Sequence, residues 1–244
     1  MGRFVGIGVD HYEQSAYAPL DFAVSDVASL YQLLQRWFDG EPLADPDENT
    51  VRALFPKLKE SLGEPGPLVL IWSGHGVASP NGLRLVARDG EPPEPYSSMG
   101  VADLISACAR SDANQLLLII DACYSGEAVE ASSLAAAILE QNPPDSKRIW
   151  VGVLTSCLKL ETAANGLLGE RLRHLLEDGP EDSDLRVRWS RHNEQIRGDD
   201  LCDAVLKEWT SGRQQPEFQG RGDAYRMLPN PLSPPARPKR WWNT

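Results

Sequence analysis

The sequence predicts an α/β protein: a mostly parallel sheet with helices on both faces. Three observations carry this. Short continuous apolar runs recur along the chain, as strands buried on both faces require. Between them lie stretches with apolar residues at helical spacing. Strand and helix also alternate, which implies crossover units and a parallel sheet.

Four runs read as core strands: FVGIGV at Phe4–Val9, LVLIW at Leu68–Trp72, QLLLII at Gln115–Ile120 and IWVGVL at Ile149–Leu154. Val24, Val27, Leu30, Tyr31 and Leu34 share one face of a helix placed within Phe22–Phe38. Further helices are expected over Val101–Ala109, Ser132–Glu140, Gly166–Glu177 and Asp199–Trp209, the last opening on acidic residues that suit a helix N-terminus. GLRLVAR at Gly82–Arg88 alternates after Asn81-Gly82 and reads as a surface hairpin. Arg186–Trp189 reads as a sixth, edge-like strand, and the acidic run from Glu177 to Asp184 as a solvated loop. The domain is expected over residues 1–229. From Asn230 to Thr244 the Pro-rich chain, basic near its end, reads as a tail or as a linker to a further domain.

Composition narrows the function. The 244 residues suit one domain or two small ones, and 41% apolar with 24% charged residues is ordinary for a globular protein. Seven tryptophans and long aliphatic runs exclude wholesale disorder. A formal net charge of −11 argues against nucleic-acid or anionic-membrane partners, which need a basic face. Cys108, Cys123, Cys157 and Cys202 have neither metal-ligand spacing nor the density of a disulfide scaffold. The N-terminus turns polar too early for a signal peptide, and no apolar run reaches the ~18 residues of a membrane span. The expected location is the cytoplasm.

Two of the predicted strands run into reactive residues. LVLIW leads to Ser73-Gly74-His75-Gly76, and QLLLII leads to Asp121-Ala122-Cys123-Tyr124-Ser125-Gly126. In an open α/β sheet the carboxyl ends of strands gather functional side chains. A His and a Cys there can pair as general base and nucleophile. Glycines on both sides of His75 permit tight turns that aim backbone N–H groups into the site. His11, His174 and His192 lack such a setting and read as surface or cap residues.

SGHG and DACYSG, with His75 48 residues before Cys123, resemble the caspase–metacaspase superfamily of cysteine peptidases. FVGIGVDHYEQ…LDFAVSDVASLYQLL is similar to the first strand and helix of that family, and VGVLTSC to a later core strand. The resemblance spans roughly Phe4 to Trp209. It implies a three-layer caspase-like fold with a mostly parallel six-stranded sheet. It implies Cys123 as nucleophile, His75 as its acid/base partner, and the N–H groups of Gly76 and Cys123 as an oxyanion hole. Caspases carry Gln two residues before the nucleophile and hold acidic substrate residues with arginines. This sequence has Asp121 there, as metacaspases and paracaspases do, which implies an S1 pocket for Arg or Lys. Asp26 matches a second acidic S1 position, or else lies on an exposed helix face; Ser73 matches a third, hydroxyl-bearing one. Ser156-Cys157 corresponds to the strand end that lines the substrate groove, with packing as the alternative for Cys157.

The resemblance further implies a protein substrate and a regulated chain between nucleophile and next strand, here Tyr124–Arg148. Lys147 and Arg148 are that segment's basic residues and its candidate processing sites. No cofactor is expected: some metacaspases take Ca²⁺, but the acidic run lacks the alternating D-x-D-x-D-G ligand pattern. A monomer is expected, with a regulatory partner or fused domain as a further partner. Short peptidases of this type are commonly bacterial and tied to conflict and defence. Two rival functions remain. One is a non-catalytic caspase-like scaffold, against which the intact motifs count. The other is a thiol redox protein, for which no resolving Cys stands near Cys123 in sequence.

Overall fold

A run such as QLLLII can be buried along its whole length only between two other layers, and the structure puts it there. The chain is seen in a computed structural model that describes residues 1–59, 65–79, 82–91, 99–109, 111–122, 150–156, 166–212 and 214–234. In chain order the first half holds β1 (Gly2–Gly8), α1 (Ala23–Leu34), β2 (Phe38–Ala44), α2 (Glu48–Arg52), α3 (Leu54–Lys59), β3 (Pro67–Ser73), β4 (Gly76–Ser79), β5 (Gly82–Leu85), β6 (Met99–Gly100) and α4 (Val101–Ala109). The second half holds β7 (Gln115–Asp121), β8 (Trp150–Thr155), α5 (Leu167–Asp178), α6 (Ser183–Trp189), β9 (Gln195–Arg197), α7 (Gly198–Lys207), β10 (Glu217–Arg221) and β11 (Arg226–Pro229).

The central sheet has six strands in the order β10-β8-β7-β3-β1-β2. All neighbours pair in parallel except β10, which runs antiparallel to β8 at the edge. Side chains alternate across the sheet with period two. Leu68, Leu70 and Trp72 of β3, with Leu116, Leu118 and Ile120 of β7, face a layer made by α2, α3, α4 and β5. Val69, Ile71, Leu117 and Ile119 face the other way, onto Val27 and Leu30 of α1, Leu172 and Leu175 of α5, and Val205 of α7. The architecture is therefore three-layered, with a mostly parallel six-stranded sheet between helices.

Two local devices fix where α1 begins. Gly8 leaves no side chain between β1 and the helix: a Cβ there would lie 2.6 Å from the Ala23 carbonyl oxygen. Asp10, just past β1, accepts hydrogen bonds from the N–H groups of Ala23 at 2.8 Å and Val24 at 3.2 Å. Those donors have no partner inside the helix, and Phe22 at the N-cap supplies no side-chain acceptor. A residue twelve positions before the N-cap thus caps α1 through space.

The structure corrects several expectations from sequence. Arg186–Trp189 is the end of α6, not an edge strand; Asp182 accepts from the N–H groups of Asp184 and Leu185 and starts a helix there. The edge strands are β2 and β10, whose segments FDGEPLA and EFQGR contain no apolar run. The first helix lies within the expected span, from Ala23 to Leu34, and Phe38 opens β2. The acidic segment is no simple loop, because α5 continues to Asp178 and α6 starts at Ser183. The hairpin at Gly82 forms as β4–β5, with Leu83 and Leu85 buried beneath it. The expected helix at Ser132–Glu140 lies outside the described residues. No helix among the described residues is long and apolar enough to cross a membrane.

Asp10→Ala removes both caps of α1 and should destabilise the protein by about 1–2 kcal/mol. Asp10→Asn, which keeps an acceptor, should lose less. Equilibrium urea denaturation checks the order of the three proteins; an unchanged midpoint for Asp10→Ala would show that the remote cap contributes nothing.

Candidate active site

Strand register assembles the site. Ser73, the last residue of β3, pairs with Asp121, the last of β7. Ile120 pairs with Thr155 of β8, and the Ser156 N–H donates to the Ile120 carbonyl at 3.0 Å. Ser73, Asp121 and Ser156 therefore form one row across the carboxyl ends of three adjacent strands. Two residues after Ile71 and Ile119, Ser73 and Asp121 fall on the sheet face that carries α1 and α5. Asp26 comes to that face from the first turn of α1, packed so closely on α5 that a Cβ at Gly169 would sit 2.3 Å from its Oδ2. All four predicted S1 residues thus meet at one end of one layer.

The row is buried, with Asp121 6%, Ser73 2% and Ser156 0% exposed. Burial pushes the Asp121 carboxyl up to about 7; the Ser156 hydroxyl bonded to it lowers the value, and the Asp26 charge raises it. Burial likewise pushes Asp26 up to about 6, opposed by Arg173 and supported by Asp10 and Glu170. Asp26 Oδ2 and Ser73 Oγ are buried, with no hydrogen-bond partner among the described residues. Acceptors without donors in a shielded site favour a cationic, hydrogen-bonding guest.

His75 follows one residue beyond Gly74, past the end of β3. Its Nε2 lies 2.8 Å from the Ala18 carbonyl oxygen. A carbonyl only accepts, so Nε2 carries a proton and Nδ1 is left to exchange one. The His75 carbonyl accepts from the Val86 N–H at 3.1 Å. Because the peptide is planar and trans, the Gly76 N–H then points to the opposite side, away from Val86.

Cys123, Tyr124–Arg148 with Lys147 and Arg148, and Cys157 lie outside the described residues. Of the described cysteines, Cys108 and Cys202 are fully buried in the core. Burial drives the Cys108 thiol up to about 12 and that of Cys202 well above its usual value, so neither supplies a thiolate. The sequence reading missed what surrounds the histidine. Tyr12 and Tyr17 stand at 4.7 and 5.6 Å from the His75 ring, centroid to centroid. Their signal is the pair of tyrosines in HYEQSAYAP, directly after β1. Gln214, also missed, donates to the Ser156 carbonyl at 2.7 Å and ties the segment after α7 to the row. A separate cavity of about 770 Å³ lies against α5, lined by Arg171, His174, Glu208 and Trp209 among others. Its Arg171 and Glu208 are paired with each other at 2.6 Å, and no described cysteine lines it.

No protein-family model and no curated protein sequence matches the chain. Solved structures do. A protein of Geobacter sulfurreducens matches with a TM-score of 0.61 at 14% identity, covering 95% of this chain and 98% of that one. The Drosophila initiator caspase Dronc matches with a TM-score of 0.57 at 14% identity, over 94% of this chain and 83% of its own. Caspase-1 from Spodoptera frugiperda matches with a TM-score of 0.54 at 14% identity, over 89% and 85%. The fold is caspase-like. At this identity the likeness concerns the fold, and the chemistry rests on the side chains.

A carboxyl whose folded pKa is raised stabilises the fold at low pH, and this contribution is lost as pH rises through the folded value. For Asp121 the loss runs from about pH 4 to about pH 7. Asp121→Asn keeps an acceptor for Ser156 and removes the charge. It should be more stable than wild type at pH 8 by roughly 1–3 kcal/mol, with the gap closing below about pH 5. Thermal melts across that range check it; an Asn variant weaker than wild type at pH 8 would mean that a cation pairs with Asp121 in the folded protein.

Proposed function

We propose that the protein is a cysteine endopeptidase that cuts polypeptides after Arg or Lys. One observation carries the reading: two shielded carboxylates, Asp26 and Asp121, converge with the unpartnered Ser73 hydroxyl two residues from a histidine whose Nδ1 is free. The caspase-like fold and the inert burial of Cys108 and Cys202 support Cys123 as the nucleophile.

In the proposed reaction the Cys123 thiolate attacks the scissile carbonyl carbon, and the C–S bond forms as the carbonyl oxygen gains charge. The N–H groups of Gly76 and Cys123 hold that oxyanion, a contribution of about 3–4 kcal/mol per donor in other peptidases. His75 passes its Nδ1 proton to the leaving amine as the C–N bond breaks. Water then attacks the thioester, gives its proton to His75, and releases the carboxylic acid and the thiolate. The cationic side chain before the scissile bond anchors the substrate on Asp121 and Asp26. An acidic side chain there meets like charge and is rejected.

Cys123→Ala and His75→Ala should each abolish peptide hydrolysis with circular dichroism unchanged. A peptide library varied at the residue before the scissile bond should give cleavage after Arg and Lys. Asp121→Asn should lower kcat/KM for an Arg peptide at least roughly tenfold, the equivalent of ~1.4 kcal/mol. The preference for Arg over a neutral isostere should grow from about pH 5.5 to pH 8 as the two carboxyls ionise. A preference for Asp, or near-wild-type rates without Cys123, overturns the reading.

A further inference from the structure

The segment between β1 and α1 reaches over to His75 and holds it at three points. The His75 backbone N–H donates to the Tyr12 hydroxyl at 2.8 Å, and that hydroxyl donates to the Val9 carbonyl at 2.9 Å. Nε2 bonds the Ala18 carbonyl. The Tyr12 and Tyr17 rings lie 5.6 Å apart, each tilted against the imidazole. Gly74 makes the first contact possible: its φ is +153°, and a Cβ there would stand 2.9 Å from the Tyr12 oxygen. The segment is itself anchored. Leu20 N–H donates to the Asp10 carbonyl at 2.8 Å, and Asp45 accepts from the N–H groups of Asp10 and His11 at 2.7 and 3.0 Å.

We propose that Tyr12 and Tyr17 are positioning residues, which lock His75 in the Nε2–H tautomer and hold its Nδ1 toward the nucleophile. This rests on the peptidase reading for its catalytic consequence, but the lock is a property of the folded chain. Each residue has a separate part. The Tyr12 hydroxyl fixes the His75 main chain, and, with the Val86 bond, the plane of the His75–Gly76 peptide. Tyr17 supplies a ring: no hydrogen bond joins its hydroxyl to a described residue, and its ring packs 5.6 Å from the imidazole, centroid to centroid. The hydroxyl and ring contacts of the two tyrosines go to His75, to Val9 and to each other rather than to the side chains of Ser73, Asp121 or Ser156, so neither should alter the affinity for the residue before the scissile bond.

The test has two arms. In the first, ¹⁵N chemical shifts of the His75 ring are recorded in Cys123→Ala protein, with and without Tyr12→Phe or Tyr17→Ala. The parent should show a protonated Nε2 and an unprotonated Nδ1. Both tyrosine variants should show averaged shifts from mixed tautomers, and Tyr17→Phe should restore the parent pattern. In the second, kcat is measured per active site, titrated with an electrophilic Arg peptide. Tyr12→Phe and Tyr17→Ala should lose roughly tenfold in kcat with KM within about twofold, and Tyr17→Phe should keep the parental rate. A variant that only unfolds a fraction of the molecules lowers the titrated sites and leaves kcat per site unchanged, which overturns the proposal. So does an Nδ1–H tautomer in the parent, or tautomers indifferent to both tyrosines. If the chain hydrolyses no peptide and takes no label, the peptidase reading fails, while the ¹⁵N arm still decides the lock.

Discussion

Strands that run parallel in one sheet deliver their carboxyl ends to one edge, and the rest of this structure depends on how they arrive there. β1, β3 and β7 end in register, with Gly8 beside Ser73 and Ser73 beside Asp121. Gly8 makes room for the start of α1, which carries Asp26 to the same face. A slip of β7 by one residue would turn Asp121 into the layer with α4 and bring Ile120 to the row. The continuous apolar runs on both sides of the sheet prevent that slip only together with the row, because Leu, Ile and Val would suit either face. Polar residues at the strand ends are what make the register matter.

That edge is held in an unfavourable state. Burial raises the cost of ionising both Asp121 and Asp26, and the Asp26 charge raises that of Asp121 further. The fold tolerates this because Trp72 and Trp150, with the aliphatic rows of β3 and β7, are fully packed beneath. The same pair placed on the surface would relax into water and recognise nothing. Instability localised at a site and supported by a large core is the usual trade between stability and function. In the proposed reading, the substrate's cation supplies the counter-charge that the protein withholds.

Much of this was legible in the sequence, for identifiable reasons. LVLIW and QLLLII declare buried strands because no helix of a small domain needs such short unbroken runs, and the residues after them then fall at the sheet edge. β2 and β10 were illegible because an edge strand is half exposed: FDGEPLA carries Asp39 and Glu41 to solvent. RVRW alternates as a strand would, but Asp182, four residues upstream of Arg186, decides for helix through its cap, a contact that periodicity does not weigh. The tyrosines around His75 escaped for a different reason. Tyr12 meets His75 across 63 residues and through a main-chain N–H, which has no side-chain identity to read.

Similarity of fold and difference of charge have separate physical origins here. A caspase-like sheet at 14% identity requires only that apolar volume be conserved on each face, and Leu, Ile and Val exchange freely at that task. It fixes where strands end and so where a histidine and a nucleophile can stand. It does not fix the charge of the residue that closes β7. In the proposed reading, a single carboxylate there, joined by a second from α1, sets the sign of what the pocket accepts without disturbing one strand. On that reading the scaffold sets the reaction's location, while the row of Ser73, Asp121 and Ser156 sets its guest; the hold of the segment after β1 on His75 is a third, independent constraint. A chain can therefore share a caspase-like architecture over nearly its whole length while, in the proposed reading, this one row suits it to a cationic guest.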